Sequence, residues 1–229
     1  MIVCLLAARN CADDVPEYLA CAGAAADTVI ALDDGSTDAT AELLAASERV
    51  TRLLHRPRRE SYEGWDDGLN RRELLDAAVE AGADWVLFLD ADERMDADDA
   101  GALRGFIGRD ALRGCAYGLQ VFRSWDDRVA PEPTYAYRLF APAASHTLPA
   151  RRLHFNPVPR EIPRAAWVRT TIRIRHLDSV ERTRARRRKY EQADPRREFE
   201  TESVRVLEEP PERLVAWAPR APGMPVIAD

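Results

Sequence analysis

The sequence predicts an α/β fold: a mainly parallel sheet flanked by helices, joined to a second half of mixed α+β character. Three observations predict it. Over residues 1–92, short apolar runs alternate with segments of helical spacing, the pattern of parallel strands joined by right-handed crossovers. One of those runs, Trp85-Val86-Leu87-Phe88-Leu89, is apolar throughout, as a strand buried on both faces must be. After residue 96 the alternation gives way to longer polar connections and strands closer together in sequence.

The elements follow in order. Ile2 to Ala8 forms a first buried strand, ending at Arg9-Asn10. Val15-Pro16 opens a helix reaching about Ala25, since proline is tolerated in a first turn. Thr28 to Leu32 is a second strand. It runs into Asp33-Asp34-Gly35-Ser36-Thr37-Asp38, a turn sequence rich in capping residues. A helix over Ala39 to Ser47 and a third strand over Val50 to Leu54 come next. The irregular stretch His55 to Gly68 carries arginines, Tyr62 and Trp65. Leu69 to Ala81 has helical spacing, and Gly82 closes it. Trp85 to Leu89 is then the fourth strand.

Beyond it, Asp96 to Ile107 is a short helix, and Cys115 to Phe122, Tyr135 to Phe140 and Trp167 to Ile174 are strands. Leu153 to Pro163 is a loop or sheet edge, and Ser179 to Ala193 a basic helix. Glu198 to Leu207 is a further helical piece, and the proline-rich Glu208 to Asp229 a tail with little structure of its own. The expected organisation is a ligand-binding half, 1–95, an opposite half of the same domain, 96–195, and a C-terminal extension, 196–229.

Bulk properties narrow the function. The 229 residues carry a net charge of −6, which argues against a nucleic-acid-binding protein. The four cysteines, at 4, 11, 21 and 115, form no C-x-x-C pair and read as reduced thiols rather than a zinc site or a disulfide framework. The first apolar run lacks a basic flank and is too short for a leader or a membrane span, so a cytoplasmic location is expected.

The chemistry gathers at strand ends. Asp90 and Asp92 stand two residues apart, so continued extended geometry would point both carboxylates to one side. Asp33-Asp34 ends another strand, and Arg71 and Arg72 open the helix before the fourth. In an open α/β sheet, ligands bind at the carboxyl ends of the strands. Paired acids there suit a hard divalent cation that also holds a diphosphate. Neither G-x-G-x-x-G nor a Walker A sequence is present, which counts against dehydrogenases and P-loop kinases.

These residues carry a resemblance. The strand ending in Ala8-Arg9-Asn10, the run Leu32 to Thr40, Asn70-Arg71-Arg72 and Phe88-Leu89-Asp90-Ala91-Asp92-Glu93 resemble, in order and spacing over about residues 1–95, the family 2 glycosyltransferases of GT-A fold. The resemblance implies a Rossmann-like, nucleotide-sugar-dependent enzyme that moves a sugar from a UDP or GDP sugar to an acceptor hydroxyl, with Mn²⁺ or Mg²⁺ as cofactor. It implies that Ala7, Ala8 and Arg9 line the base, that Asp34 hydrogen-bonds it with Asp33 alongside, and that Asp90 and Ala91 lie near ribose and metal. Asp92 would coordinate the metal directly, and Arg71 and Arg72 would contact phosphate or base.

The second half is similar more loosely, in Tyr137-Arg138-Leu139-Phe140 and in Ile172 to His176 with the basic helix that follows. His176 is a further candidate metal ligand, and His154 another. Where many members have a His-Glu pair, this chain reads Leu153-His154-Phe155, and the Glu-Asp pair that often supplies a base is absent. Asp127 and Glu161, with Asp126 and Asp178, are the carboxylates available as a catalytic base, and the stereochemical outcome stays open. The helix Arg182 to Lys189 reads either as a contact for an anionic membrane or polyanion or, more in keeping with its lack of an apolar face, as a solvated face. Two other readings stand beside the enzyme: a non-catalytic nucleotide-sugar-binding protein on the same fold, and a sugar nucleotidyltransferase. The latter requires a glycine-rich N-terminal loop with a lysine, and Ile2 to Pro16 has neither.

Overall fold

The structure, a computed structural model, describes residues 1–199 and 211–228. The first four strands are β1 (Ile2–Ala8), β2 (Thr28–Asp33), β3 (Val50–His55) and β4 (Trp85–Phe88). They alternate with helices α1 (Val15–Ala25), α2 (Thr40–Ala45) and α3 (Asp67–Glu80). β1 pairs in parallel with β2 and with β4, and β2 with β3. A short β5 (Glu93–Arg94) and α4 (Ala97–Arg109) follow. Then come β6 (Ala116–Trp125), β7 (Arg128–Val129), β8 (Thr134–Phe140), β9 (Trp167–Asp178), α5 (Val180–Ala193) and β10 (Val215–Ala216).

The second half extends the same sheet. β8 runs antiparallel to β4 and to β6, while β9 lies parallel to β6 and antiparallel to β5. Among the described residues the main path reads β10-β7-β6-β8-β4-β1-β2-β3. A mixed α/β sheet flanked by helices is the expected architecture.

Alternation along β1 sets the two layers of the core. Cys4, Leu6 and Ala8 pack on one face with Tyr18 and Leu19 of α1 and Leu103 and Phe106 of α4. Val3 and Leu5 pack on the other with Leu74, Leu75 and Ala78 of α3. Helix α1 buries Val15, Tyr18, Leu19, Ala22 and Ala25, a stripe at helical spacing. Each fully buried leucine in these layers contributes roughly 1.5–3 kcal/mol. Burial pushes the Cys4 thiol up to about 12, so it stays protonated and packs as a small apolar group against Tyr18.

Two expectations need correction. Strand β4 ends at Phe88, and the chain turns at Ala91–Asp92, where the Glu93 amide donates to the Asp90 carbonyl at 3.0 Å. Extended geometry therefore does not carry through the two acids. The tail has more structure over 211–228 than its prolines suggest. β10 pairs with β7, and Thr171 N–H donates to the Val226 carbonyl. Buried Arg220 donates to Asp99, to the Thr171 carbonyl and hydroxyl, and to the Pro225 carbonyl. Proline removes donors from the tail, and this arginine supplies donors to its carbonyls from within. The helical piece expected over Glu198 to Leu207 lies, from residue 200 on, outside the described residues. Among those residues no helix is long and apolar enough to cross a membrane.

Asp99 shows the cost of this arrangement. Its side chain is fully buried and accepts from Arg173 at 2.8 and 3.0 Å and from Arg220 at 3.1 Å. Replacing Asp99 with alanine strands the buried Arg220 guanidinium and the partly buried one of Arg173. Chemical denaturation should show a loss of about 3–5 kcal/mol.

Candidate functional site

A crevice of about 790 Å³ opens at the carboxyl ends of β1, β2 and β4 and is closed on its far side by β8, β9 and α5. That is the position an open α/β sheet gives its ligand.

The first wall is built from Ala7, Ala8, Arg9 and Asp34. Arg9 donates from Nη2 to the carbonyls of Arg59 and Ser61, at 2.7 and 2.6 Å, and lies 4.1 Å over the Tyr62 ring. Asp34 is buried; one oxygen pairs with Arg59 at 2.6 Å, and Oδ2 has no hydrogen-bond partner. Burial raises its carboxyl above the ordinary range, against the pull of Arg59. A buried acceptor without a well-formed partner at the crevice wall, with the equally unpartnered Asn70 amide beside it, is a place for a ligand donor. Gly35 makes the turn possible: its φ is +74°, and a Cβ there would meet the Pro57 carbonyl at 2.3 Å. Asp33 does not line the crevice and instead accepts the Ser36 amide within that turn.

The floor is an ion network. Asp90 lies between Arg71, at 2.8 Å, and Arg138, at 3.1 Å, and Arg71 also holds Asp67 at 2.7 Å. Burial alone would raise Asp90, but Arg138 and Arg71 hold it well below the usual carboxylate range. Glu93, with its side chain wholly buried, accepts the Asp90 amide at 2.9 Å and pairs with Arg138. Burial pushes its carboxyl up to about 8, against Arg138 and with the help of neighbouring Asp90. Arg72, one residue on from Arg71 and so about 100° round the helix, falls outside the crevice.

The third part is the pair Asp92 and His176. Pairing of β5 with β9 sets Glu93 opposite His176, and the Leu177 amide donates to the Asp92 carbonyl at 2.7 Å. His176 Nε2 then lies 3.4 Å from Asp92 Oδ2, with Arg186 of α5 at 3.8 Å. Burial lowers His176, against the pull of Asp92, and its Nδ1 is buried without a partner. Burial works against Asp92, but His176 and Arg186 keep it below the ordinary range. A carboxylate beside an imidazole is a donor set that fits a divalent cation such as Mn²⁺. No group of three or more His, Cys, Asp or Glu is gathered for an ion among the described residues. Asp90 is taken up by its two arginines, and Ala91 lines the crevice between the two acids.

The proposed bases are not brought here. Asp127 is exposed on the turn between β6 and β7, and Glu161 is exposed and accepts the amide and hydroxyl of Thr147. Asp126 is exposed on the same turn, and Asp178 is buried in an ion pair with Arg123. All four lie outside the crevice lining. His154 reaches the crevice but stands edge-on to Tyr190, at 4.6 Å, rather than at the acids.

The sequence reading also missed the inward face of α5. Arg182 pairs with Asp14 at 2.6 Å, Arg186 is buried beside Asp92, and Lys189 lies over Trp65. The spacing 182, 186, 189 marks one helix face, and that periodicity was the available signal. The helix is therefore not simply a solvated basic face.

The family description "Glycosyl transferase family 2" matches residues 4–137, more than half of the chain. The chain belongs to glycosyl transferase family 2, as the motif order implied. No curated protein matches it. Among solved structures, it is similar to S. aureus TarS in complex with UDP-GlcNAc, at 18% identity, with a TM-score of 0.42 and coverage of 54% of this chain and 34% of that one. It is also similar to the glucosyl-3-phosphoglycerate synthase from Mycobacterium tuberculosis in complex with Mn²⁺, UDP and glucosyl-3-phosphoglycerate, at 21% identity, TM-score 0.38, and 54% and 44% coverage. A third likeness is 4-diphosphocytidyl-2C-methyl-D-erythritol synthase, at 16%, TM-score 0.38, and 61% and 74% coverage. The chain spans about a third of that TarS chain, which is TarS 1–349, and 21% of the TarS chain in another structure.

The geometry separates two kinds of acid. Asp90→Asn should cost about 3 kcal/mol by denaturant titration, because Arg71 and Arg138 lose their shared counter-charge. Asp127→Asn and Glu161→Gln, both on the surface, should stay within about 0.5 kcal/mol of the parent and leave ligand binding unchanged.

Proposed function

We propose that the chain is a glycosyltransferase that moves a sugar from a UDP or GDP sugar to an acceptor hydroxyl, with a Mn²⁺ or Mg²⁺ ion held by Asp92 and His176. One observation carries the reading. A single crevice joins an open buried acceptor on Asp34 to a carboxylate–imidazole pair fit for a cation.

In this reading the nucleotide base lies along Ala7 to Arg9, with a ring N–H donating to Asp34 Oδ2. Asp90 lies near the ribose, held in one orientation by Arg71 and Arg138. The bound cation supplies charge neutralisation for the diphosphate as it leaves. The bond from the anomeric carbon to the phosphate oxygen breaks, a bond to the acceptor oxygen forms, the nucleoside diphosphate leaves with the electron pair, and the hydroxyl proton passes to solvent water. Arg186, beside Asp92, adds fixed positive charge where the phosphates gather. Residues 1–95 contribute the nucleotide wall, and later residues the metal-side imidazole and the acceptor side.

A second reading keeps the binding without the chemistry. It is favoured by the position of Asp126, Asp127, Glu161 and Asp178 outside the crevice. Turnover separates the two: release of nucleoside diphosphate from a sugar nucleotide in Mn²⁺ supports transfer chemistry. Tight binding with no release from any common donor supports the second.

Calorimetry with UDP and GDP, with and without Mn²⁺, tests the site. Mn²⁺ should strengthen nucleoside diphosphate binding. Asp92→Asn should remove that increment, a loss of at least roughly tenfold, without weakening metal-free binding. An increment unchanged in Asp92→Asn would remove the metal assignment.

A further inference from the structure

Lys189 is the only lysine in the chain. Its ammonium lies 3.9 Å from the Trp65 ring centre, with the rings of Tyr62 and Tyr190 at 5.8 and 5.9 Å. It faces the crevice, and no carboxylate among the described residues comes within ion-pairing distance of it. The neighbouring cations of the same helix face are committed: Arg182 to Asp14, and Arg186 to Asp92 and Asp178.

The cage is built, not accidental. Trp65 stacks on Tyr190, its carbonyl accepts from Arg152 at 2.6 Å, and the Tyr62 amide donates to Gln192 at 3.0 Å. Aromatic faces hold a cation in place without neutralising it. A lysine with a purely structural role would be given a carboxylate or left in water. This one is partly buried, and burial works against its charge.

From this we infer that Lys189 is a phosphate-binding residue, its ammonium held on Trp65 and presented to a phosphate group of a ligand in the crevice. A compact ammonium with three donors suits phosphate as a point charge. The inference rests on the nucleotide-sugar reading. The phosphate has two sources, the diphosphate of the donor or a phosphate carried by the acceptor.

Lys189→Met keeps the stem on Trp65 and removes the charge; Lys189→Arg keeps the charge, and Lys189→Gln is the substitute if the methionine variant does not fold. Calorimetry with UDP, with uridine, and with inorganic phosphate added to free and to UDP-saturated protein, all in Mg²⁺, gives the arms. If the donor is the source, Lys189→Met binds UDP roughly tenfold more weakly and uridine unchanged. If the acceptor is the source, UDP binding holds and inorganic phosphate binding falls by roughly tenfold. In either case Lys189→Arg recovers most of the loss. Equal affinity of parent and Lys189→Met for UDP and for phosphate overturns the assignment, as does a parent that binds neither. A parent that binds phosphate through Lys189 but no nucleotide would instead remove the nucleotide-sugar reading and leave the phosphate site standing.

Discussion

The structure depends on the pairing of Asp90 with Arg71 and Arg138. Arg71 comes from the helix that precedes β4, and Arg138 from the strand that lies against β4 on its other side. Asp90 therefore ties the parallel part of the sheet to the mixed part at the point where the crevice opens. Buried ion pairs add little net stability, because desolvation offsets their attraction, but breaking one leaves a stranded charge. Such a network makes one arrangement of the strand ends much better than its neighbours. Glu93 extends the tie through Arg138 and the Asp90 amide.

Around that tie the site divides into walls of different chemistry. The wall at the end of β2 holds the Asp34 acceptor without a partner, and the opposite wall sets the Asp92 carboxylate against the His176 imidazole. Both come from strand ends rather than from long loops, so their spacing follows from sheet register. Around the crevice Arg71, Arg138 and Arg186 are set against carboxylates, while the one lysine of the chain is held by rings.

Much of this was legible in the residues. The unbroken apolar run Trp85 to Leu89 required a central strand, and alternation of strands and helices required β1 to β4 in parallel. The motifs at Asp34 and at Asp90 to Asp92 marked the crevice because strand ends in such a sheet are where ligands bind. What failed did so for local reasons. The direction of Asp90 and Asp92 depended on a turn at Ala91 that a period-2 pattern does not reveal. Asp127 and Glu161 had only their chemistry to recommend them, and no periodicity placed them on a face. The prolines of the tail concealed Arg220, whose partners are distant in sequence. The inward face of α5 was readable at 182, 186 and 189, but net charge drew attention to the whole helix instead.

The tail has a consequence for the wall that carries His176. Trp217 donates to Asp96 at 2.6 Å and lies under Arg173 and Arg175 of β9, while Arg220 reaches Asp99 and Thr171. These contacts clamp β9 from outside, and β9 carries His176 at its inner end. The imidazole is thus braced by a segment that never touches the crevice. Stiffness at the site is borrowed from the far edge of the sheet, and loosening that edge would be felt first in the distance between His176 and Asp92.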